Sequence, residues 1–184
     1  MDDGPYSFGA AVRRTSRDDR VTVRWRNGQG TTQVIAETEW WRVSIADEPT
    51  SSTFSVIEGY DRLIMPLGTV SMELSGTPSG AEFAPDGVAR HVVAPLQTFA
   101  FPGEWAPRGR VDTPTRALNV MVRRDAATAT MRLGTRPGEA DPAALLVLVD
   151  PVTEEAIVVP PGSTDAFTAG DPCAVVTVTT FGRS

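Results

Sequence analysis

The sequence predicts an all-β protein, and three observations lead to that class. Apolar and polar residues alternate with period two in several segments, which is the pattern of a strand with one buried face. Turn sequences such as PSG, PDG, FPG and PPG separate these segments at roughly the spacing of a sandwich or barrel. No segment carries a convincing helical stripe. The nearest, DPAALLVLVD from Asp141, has an N-cap-like start, but its core is better explained as a buried strand.

The chain divides into a short N-terminal arm and one compact unit. Residues 1–18 mix Gly, Ser, Arg and Asp without a period and are expected to form a loose or partly docked arm. A length of 184 residues suits one domain or two tightly fused halves, so residues 19–184 are expected to fold together. Within them, strands are expected in RVTVRWR (20–26), TTQVIAE (31–37), WWRVSIA (40–46), TFSVIE (53–58), RLIMPL (62–67), TVSMELS (69–75), RHVVA (90–94), QTFAF (97–101), ALNVMVR (117–123), ALLVLV (144–149), EAIVVP (155–160) and CAVVTVTTF (173–181).

The charge of the chain argues against nucleic acid as a partner. The net charge is -6 and the pI is about 4.8, so an extended phosphate-binding surface is not expected. All 17 basic residues are arginines, whose planar guanidinium groups suit carboxylates. Residues 139–184 hold seven acids against one arginine, whereas the first 138 residues balance 16 acids with 16 arginines. Any anion site is therefore expected in the first part, and the acidic surface is expected to keep the protein soluble.

The cysteine content and the apolar segments predict a cytoplasmic protein. The single cysteine, Cys173, cannot form an intramolecular disulfide and lies in a strand-like run, so a buried structural thiol is expected. The N-terminus has no apolar signal-peptide core, and no apolar run reaches the roughly 18 residues of a membrane span. No membrane partner is expected.

The segment WRNGQGTT, residues 25–32, raises the question of a phosphate loop. Such a loop needs a strand, then glycines, then a helix whose amino end faces the phosphate. Here VTVRWR leads in, but the strand-like TTQVIAE follows. Asn27 and Gly28 both tolerate positive φ, the usual chemistry of a tight hairpin, so the segment is predicted to be a β-hairpin tip.

The order of motifs from this hairpin onward resembles the HutD/Ves family. The family pattern runs Trp-x-Asn-Gly-x-Gly-x-Thr, then Trp-Arg-x-Ser-Ile-Ala, then Phe-Ser-x-x-x-Gly-x-x-Arg. FAFPGEW (99–105) and RALNVMVRR (116–124) are similar to two later family segments, although Ala117 stands where the family has an aspartate. The resemblance covers about residues 20–124. The matching residues are Trp25, Asn27, Gly28, Gly30 and Thr32, then Trp41, Arg42, Ser44, Ile45 and Ala46, then Phe54, Ser55, Gly59, Asp61 and Arg62.

The resemblance implies a cupin-like double β-barrel, or bicupin, in a single chain. Its motif-bearing half would be about residues 20–124 and its acidic second half about residues 125–184. Cupin enzymes usually hold a metal with several histidines, whereas this chain has His91 alone. PPGSTDAF (160–167) places Asp165 where a cupin histidine ligand would stand. We therefore expect neither a metal nor another cofactor.

The sequence offers one group of candidate ligand-binding residues. Arg42 and Ser44 share the polar face of their strand, which is expected to point into a barrel mouth. Arg62 adds a second guanidinium, and paired guanidiniums with nearby amides and hydroxyls suit a small carboxylate. The alternative is that the arginines pair with Glu58 or Asp61 and that Asn27 only shapes its turn. The candidate set is Asn27, Arg42, Ser44, Ser55, Asp61, Arg62, Phe101, Asn119 and Met121.

Three functions remain open at this point. The resemblance favours a binding accessory or regulatory protein linked to histidine catabolism, with urocanate, formiminoglutamate or formylglutamate as the carboxylate ligand. The second is a metal-free hydrolase or isomerase that moves a proton through Asp61 or Glu73, although the sequence shows no nucleophile elbow and no His-based catalytic triad. The third is a protein-interaction module that uses the acidic second half. A monomer and a homodimer are both compatible with the sequence.

Overall fold

The computed structural model describes residues 11–25, 27–77, 88–135, 143–163 and 172–181, and the regular elements within these ranges are β-strands. Their bounds are β1 (Arg13–Thr15), β2 (Thr22–Arg24), β3 (Thr31–Glu37), β4 (Trp41–Glu48), β5 (Ser51–Thr53), β6 (Tyr60–Leu67), β7 (Met72–Gly76), β8 (Ala89–Val93), β9 (Phe99–Pro102), β10 (Arg108–Arg110), β11 (Thr115–Arg123), β12 (Ala127–Gly134), β13 (Leu145–Val149), β14 (Ala156–Val159) and β15 (Cys173–Thr180). The prediction of an all-β protein is confirmed. Within the same ranges, no helix is long and apolar enough to cross a membrane.

The strands form three sheets in which every paired neighbour is antiparallel. The central sheet has the order β2-β3-β4-β11-β6-β9, the small sheet β5-β10-β7-β8, and the C-terminal sheet β1-β14-β13-β15-β12. Hydrogen bonds between the described strands do not close any of these sheets into a barrel. The structure thus shows the all-β class and three packed sheets. The predicted double barrel is a more detailed arrangement than these sheets show.

The central sheet lies between the other two and is buried on both faces. On one face, Trp41, Val43 and Ile45 pack with alternate residues of β6 and β11 against the C-terminal sheet. On the other face, Ile64 and Phe101 pack against the small sheet. Each fully buried Val, Ile or Phe side chain of these faces stabilises the fold by about 1.5–3 kcal/mol. The predicted alternation in WWRVSIA is confirmed. Trp41, Val43 and Ile45 lie on the face of β4 that packs against the C-terminal sheet, and Arg42 and Ser44 lie on the opposite face.

Several strand predictions were wrong or incomplete. TFSVIE is not a strand: β5 ends at Thr53, and the next backbone groups bond outside a ladder, with Phe54 N donating to Pro107 O at 3.0 Å and Ile57 N to Gly103 O at 2.8 Å. The strands β1, β10 and β12 were not predicted, because their sequences RRT, RGR and ATATMRLG are short or mostly exposed. Part of the predicted N-terminal arm is docked, since β1 pairs with β14.

The turn sequences PPG and FPG lie within the described residues. PPG forms a turn in which Gly162 adopts a φ of 72°, and FPG leads into a turn after β9. PSG, PDG, the start of DPAALLVLVD and Asp165 lie outside the described residues.

Candidate functional site

The pairing of four strands places predicted site residues in one row across the central sheet. Met121 of β11 pairs with Arg42 of β4 on one side and with Arg62 of β6 on the other. Arg62 in turn pairs with Phe101 of β9. Cross-strand partners present their side chains on the same face of a sheet. Three strand-to-strand steps of about 4.8 Å therefore join residues that lie far apart in the sequence.

A second row lies beside the first on the same face. Asn119 pairs with Ser44 on β4 and with Ile64 on β6. Ser44 is 3% exposed and Asn119 is 9% exposed. The Asn119 amide donates to the carbonyl of Ala117 at 3.4 Å, which is a long hydrogen bond. The structure therefore brings together six of the nine predicted residues, on the face that packs against the small sheet.

Arg62 is the centre of this face because it is a buried cation with few polar contacts. Arg62 is 8% exposed, and its Nη1 donates to the carbonyl of Ser55 at 3.3 Å. Its guanidinium carbon lies 4.8 Å from the ring centre of Phe54 and 5.2 Å from that of Phe101. Its Nε is buried without a hydrogen-bond partner.

The charge of Arg62 is not balanced by a direct ion pair. Within the described part of the chain, no carboxylate lies in salt-bridge contact with it. Burial lowers the pKa of Arg62 to about 10, although Glu48 acts in the opposite direction. The guanidinium therefore remains protonated near neutral pH. A buried cation costs free energy unless a partner compensates for the lost water, so this geometry favours an anion.

Glu48, at the end of β4, is a buried acid on the same face. It follows Arg42, Ser44 and Ala46 at even spacing and is 2% exposed. The Ser52 hydroxyl donates to its carboxyl group at 3.1 Å. Burial raises the pKa of Glu48 to about 7, and neither the Ser52 hydrogen bond nor Arg62 offsets that effect.

Arg42 and Met121 form the outer part of the row. The Arg42 side chain is 43% exposed and pairs with Glu37 at 2.6 Å. Arg42 therefore pairs with Glu37 and not with Glu58 or Asp61, the alternative partners expected from the sequence. Met121 is partly buried between the two arginines. Arg42 is the more accessible cation, and its charge is already matched.

The structure does not bring Asn27, Ser55 and Asp61 into this group as side chains. Asn27 lies at the exposed hairpin tip, where its Oδ1 accepts from Gln29 N at 3.1 Å and helps to shape the turn. Ser55 is exposed and contributes its carbonyl to Arg62. Asp61 is on the opposite face of β6 and accepts from Arg124 Nε at 2.6 Å.

The sequence reasoning missed Glu48, Phe54 and Trp105. The even spacing from Arg42 along β4 could have revealed Glu48. Phe54 follows β5 in irregular backbone, and nothing in its local pattern indicates a contact with Arg62. Trp105 is 4% exposed, packs at 5.6 Å from Phe101, and has a buried indole Nε1 without a partner. It adds a second unsatisfied N–H donor to the aromatic cluster beside Arg62.

The histidine and the cysteine of the chain both lie among packed side chains. His91 packs against the rings of Phe99 and Trp105 at 4.5 Å and 5.9 Å. In the ranges described, no three His, Cys, Asp or Glu side chains lie together as a set that could hold a metal ion. The cysteine, Cys173, is buried in β15.

A surface cleft of about 420 Å³ opens near the carboxyl end of β4 and the amino end of β11. Arg116 in this cleft contacts Asp47 at 2.5 Å, Glu154 at 2.8 Å and Gln33 at 2.9 Å. Because these contacts already match its charge, this cleft is a weaker anion site than the surroundings of Arg62. Its lining residues are Gln29, Gly30, Thr31, Asp47, Glu48, Pro49, Pro114, Thr115 and Arg116.

Three packed antiparallel sheets with a buried arginine on an inner face define the class: an all-β protein with a candidate anion site. The HutD family model matches residues 17–174, and the chain belongs to the HutD family. The family resemblance seen in the motifs is thus confirmed.

Two curated relatives and two solved structures are similar to the chain. Protein Ves of Cronobacter sakazakii is 31% identical over 119 residues, which cover 61% of each chain. An uncharacterized 21.2 kDa protein in the hutC 3′ region of Pseudomonas putida is 34% identical over 93 residues, 47% of this chain and 44% of that protein. The matches thus span less than two thirds of either relative.

The structural matches extend over nearly the whole chain. HutD from Pseudomonas fluorescens, solved in a formate condition, superposes with a TM-score of 0.74 at 23% identity, covering 94% of this chain and all of that one. A conserved protein of unknown function from Pseudomonas aeruginosa gives a TM-score of 0.68 at 22% identity with the same coverage. At these identities the likeness shows a shared fold.

Proposed function

We propose that this protein binds a small carboxylate metabolite through Arg62, as an accessory or regulatory protein in the cytoplasm. The observation that carries the proposal is the buried guanidinium of Arg62, which has an unpaired Nε and no salt bridge to any described carboxylate. A planar guanidinium binds a carboxylate through two parallel hydrogen bonds, which supply both charge and direction.

The surroundings of Arg62 favour a small ligand with an apolar portion. Phe54 and Phe101 flank the guanidinium and limit its contact with water. A lower local dielectric strengthens an ionic hydrogen bond relative to the same bond at the surface. Met121 and Phe101 offer apolar contact, while Asn119 and Ser44 in the next row offer hydrogen bonds to a second polar end of the ligand.

Family membership narrows the choice of carboxylates. The chain belongs to the HutD family, and the HutD structure from Pseudomonas fluorescens was solved in a formate condition. We infer a link to histidine catabolism and take urocanate, formiminoglutamate and formylglutamate as the candidate ligands. Each carries the carboxylate that Arg62 requires, and the proposed binding needs no metal.

We also propose that the three sheets are parts of a bicupin. The central and small sheets enclose the cluster around Ile64, Leu74 and Trp105, which corresponds to the interior of the first half. A separate buried cluster on the outer face of the C-terminal sheet, with Leu148 and Val175, corresponds to the interior of the second. A crystal structure of the protein tests whether each half closes into a barrel.

Thermal unfolding against a panel of carboxylates tests the binding proposal. The panel contains urocanate, formiminoglutamate, formylglutamate, glutamate, histidine and formate, with Arg62→Met and Arg42→Ala beside the wild type. A ligand at 100 times its Kd adds about 2.7 kcal/mol of stability, or roughly 5–10 °C in the unfolding midpoint for a protein of this size. We expect a rise in the wild type, a smaller rise in Arg42→Ala and none in Arg62→Met. No response in the wild type to any of the six compounds would contradict the proposal.

The buried acid Glu48 makes a metal-free enzyme the second candidate. A general acid–base needs a pKa near the working pH, and burial raises that of Glu48 to about 7. Asp61 and Glu73, the acids considered from sequence, are exposed, and Asp61 is paired with Arg124. Turnover of a panel compound by the wild type, lost in Glu48→Gln while binding persists, would establish this function. Unchanged compounds after prolonged incubation would exclude it for the panel.

A further inference from the structure

Carboxylate binding at Arg62 leaves the role of Glu48 unexplained. A glutamate that is 2% exposed is unusual, because burial of a charged carboxylate is costly. Its described hydrogen bond comes from Ser52, a neutral donor. It lies on the same face of the central sheet as Arg62, where its charge and that of Arg62 act on each other.

A continuous packed path links Glu48 to Arg62. Ser52, which donates to Glu48, is next to Gly109 of β10, and so is the ring of Phe54, which contacts Arg62. A Cβ on Gly109 would lie 2.9 Å from the Ser52 hydroxyl and 3.0 Å from the Phe54 ring. Because Gly109 has no Cβ, the Ser52 hydroxyl and the Phe54 ring can both pack closely against it, so the group that donates to Glu48 and the ring that contacts Arg62 share one neighbour.

Few other charges face Glu48 from the neighbouring strands. Asp47 is its neighbour on β4 and disfavours its ionisation, but Asp47 points to the other face and pairs with Arg116. Glu73 of β7 is exposed, as are Arg108 and Arg110, which flank Gly109 on β10. Thr115 of β11 and Ser52 carry no charge. Arg62 is therefore the buried cation on this face in the described part of the chain.

We propose that Glu48 is the internal counter-charge of Arg62, and that a carboxylate ligand binds to Arg62 together with one proton, which neutralises Glu48. This inference rests on the proposed function. When Glu48 is ionised, the interior holds one positive and one negative charge. A bound carboxylate adds a second negative charge, and protonation of Glu48 restores a neutral interior. The ligand and Glu48 thus compete for one cation, and binding is linked to proton uptake.

Two features of the structure make this proton uptake feasible. Burial raises the pKa of Glu48 to about 7, so the protonated form is readily reached at neutral pH. Glu48 is also among the residues that line the open surface cleft of about 420 Å³, which places this end of β4 beside solvent. Arg62 remains charged throughout this range because its pKa is about 10.

Calorimetric titration with formate tests the inference, because formate stays ionised throughout the pH range used. We would measure the Kd from pH 5.5 to pH 8.5, each in two buffers of different ionisation enthalpy, for the wild type, Glu48→Gln and the control Glu73→Gln. Glu73 is a suitable control because it is an exposed carboxylate on the small sheet. We expect the wild type and Glu73→Gln to lose up to tenfold in affinity per pH unit above pH 7, with uptake approaching one proton. Glu48→Gln should bind with a Kd that does not depend on pH.

The outcomes separate this inference from the binding proposal beneath it. Formate binding by the wild type with constant Kd and no proton uptake would overturn the role of Glu48 and leave carboxylate binding intact. Wild-type pH dependence retained in Glu48→Gln would overturn it as well. No binding of formate or of any panel carboxylate at any pH would overturn the proposed function and this inference with it. If Glu48→Gln does not fold, the number of protons taken up by the wild type on formate binding still tests the inference: uptake near one supports it, and no uptake overturns it.

Discussion

At the scale of single residues, Arg62 holds a buried charge that no direct ion pair balances in the described part of the chain. A buried ion pair replaced by well-packed apolar side chains often leaves stability unchanged or raises it, whereas removal of one charged partner alone is costly. Such a site is retained when function depends on it, because functional groups often trade stability for binding. The stability of Arg62 variants therefore distinguishes a ligand-binding arginine from a structural one.

At pH 6, where a protonated Glu48 needs no cation beside it, we expect Arg62→Met to unfold at the same temperature as the ligand-free wild type or at a higher one, and to lose the carboxylate response. The methionine fills the space between Phe54 and Phe101 without a buried charge. Arg62→Lys is the matched variant: it keeps the charge, loses the planar fork and should bind carboxylates more weakly. Differential scanning calorimetry with and without ligand measures both effects. A fall of many degrees in Arg62→Met, with the ligand response intact, would show that Arg62 is structural.

The stability of the ligand-free protein should also depend on Glu48 and pH. The ordinary pKa of the carboxyl group is 4.5, and burial raises the folded-state value to about 7. Between these values the folded state binds the extra proton, so the contribution of Glu48 to stability is fully present below about pH 4.5 and is lost as pH rises through 7. A shift of this size corresponds to roughly 2–4 kcal/mol.

Urea unfolding of the wild type and Glu48→Gln measures this effect. The variant lacks the titrating group, so its advantage in unfolding free energy should grow from pH 4.5 to pH 7 and then level off. Glu73→Gln again serves as the exposed control. A difference between Glu48→Gln and the wild type that stays constant over this range would show that Glu48 titrates normally.

At the scale of elements, the segment after β5 positions the groups around Arg62. Phe54 and the Ser55 carbonyl both belong to it. Ile57 N donates to Gly103 O at 2.8 Å, and Gly103 N donates to Tyr60 O at 2.7 Å. A Cβ on Gly103 would lie 2.2 Å from the Ile57 carbonyl oxygen, so this close approach requires glycine.

We expect Gly103→Ala to lower both stability and carboxylate affinity, because the backbone of residues 54–57 must move away from β9. Gly59→Ala is the control: Gly59 has a φ of 77° but open space around it, so the substitution costs about 1–2 kcal/mol of strain and leaves the packing unchanged. Chemical denaturation and formate titration measure the two effects. Equal losses in the two variants would mean that the contact between Gly103 and Ile57 does not position the site.

The elements that sequence could predict are those with a buried apolar face. WWRVSIA and ALNVMVR alternate clearly because one face of each strand packs against the C-terminal sheet. The alternation also indicated that Arg42 and Ser44 share a face. It could not show that Met121 lies between Arg42 and Arg62, because the pairing of β4, β11 and β6 depends on long-range register. Nor could it show that Asp61 points away from Arg62 toward Arg124.

At the scale of the whole molecule, Arg116 connects the central and C-terminal sheets. It contacts Asp47 within the central sheet and Glu154, in the turn between β13 and β14, at 2.8 Å. Glu154 is 7% exposed and adopts a φ of 60°. Buried Arg20 also donates to its backbone carbonyl. A buried pair of this kind is costly to break, because one charge is left without its partner.

We expect Arg116→Ala to lose about 3–5 kcal/mol, since it leaves the buried Glu154 without its salt bridge. Arg42→Ala removes a more exposed pair with Glu37 and should cost about 0–1 kcal/mol. Equilibrium unfolding of both variants gives the comparison, and Arg116→Ala combined with Glu154→Gln should recover part of the loss. If Arg116→Ala were no less stable than Arg42→Ala, the connection would not hold the sheets together.

The central claim is that the unpaired Nε–H of Arg62 is a receptor for a carboxylate, and NMR of that group tests it most directly. In ¹⁵N-labelled protein at pH 6, the arginine Nε–H signal that is absent from Arg62→Met identifies Arg62. During titration with formate, urocanate and formylglutamate, we expect this signal to shift downfield and saturate with at least one of them, because the N–H gains a charge-assisted hydrogen bond. Chloride at equal ionic strength should leave it unchanged. A signal that stays fixed with all three carboxylates would contradict the claim.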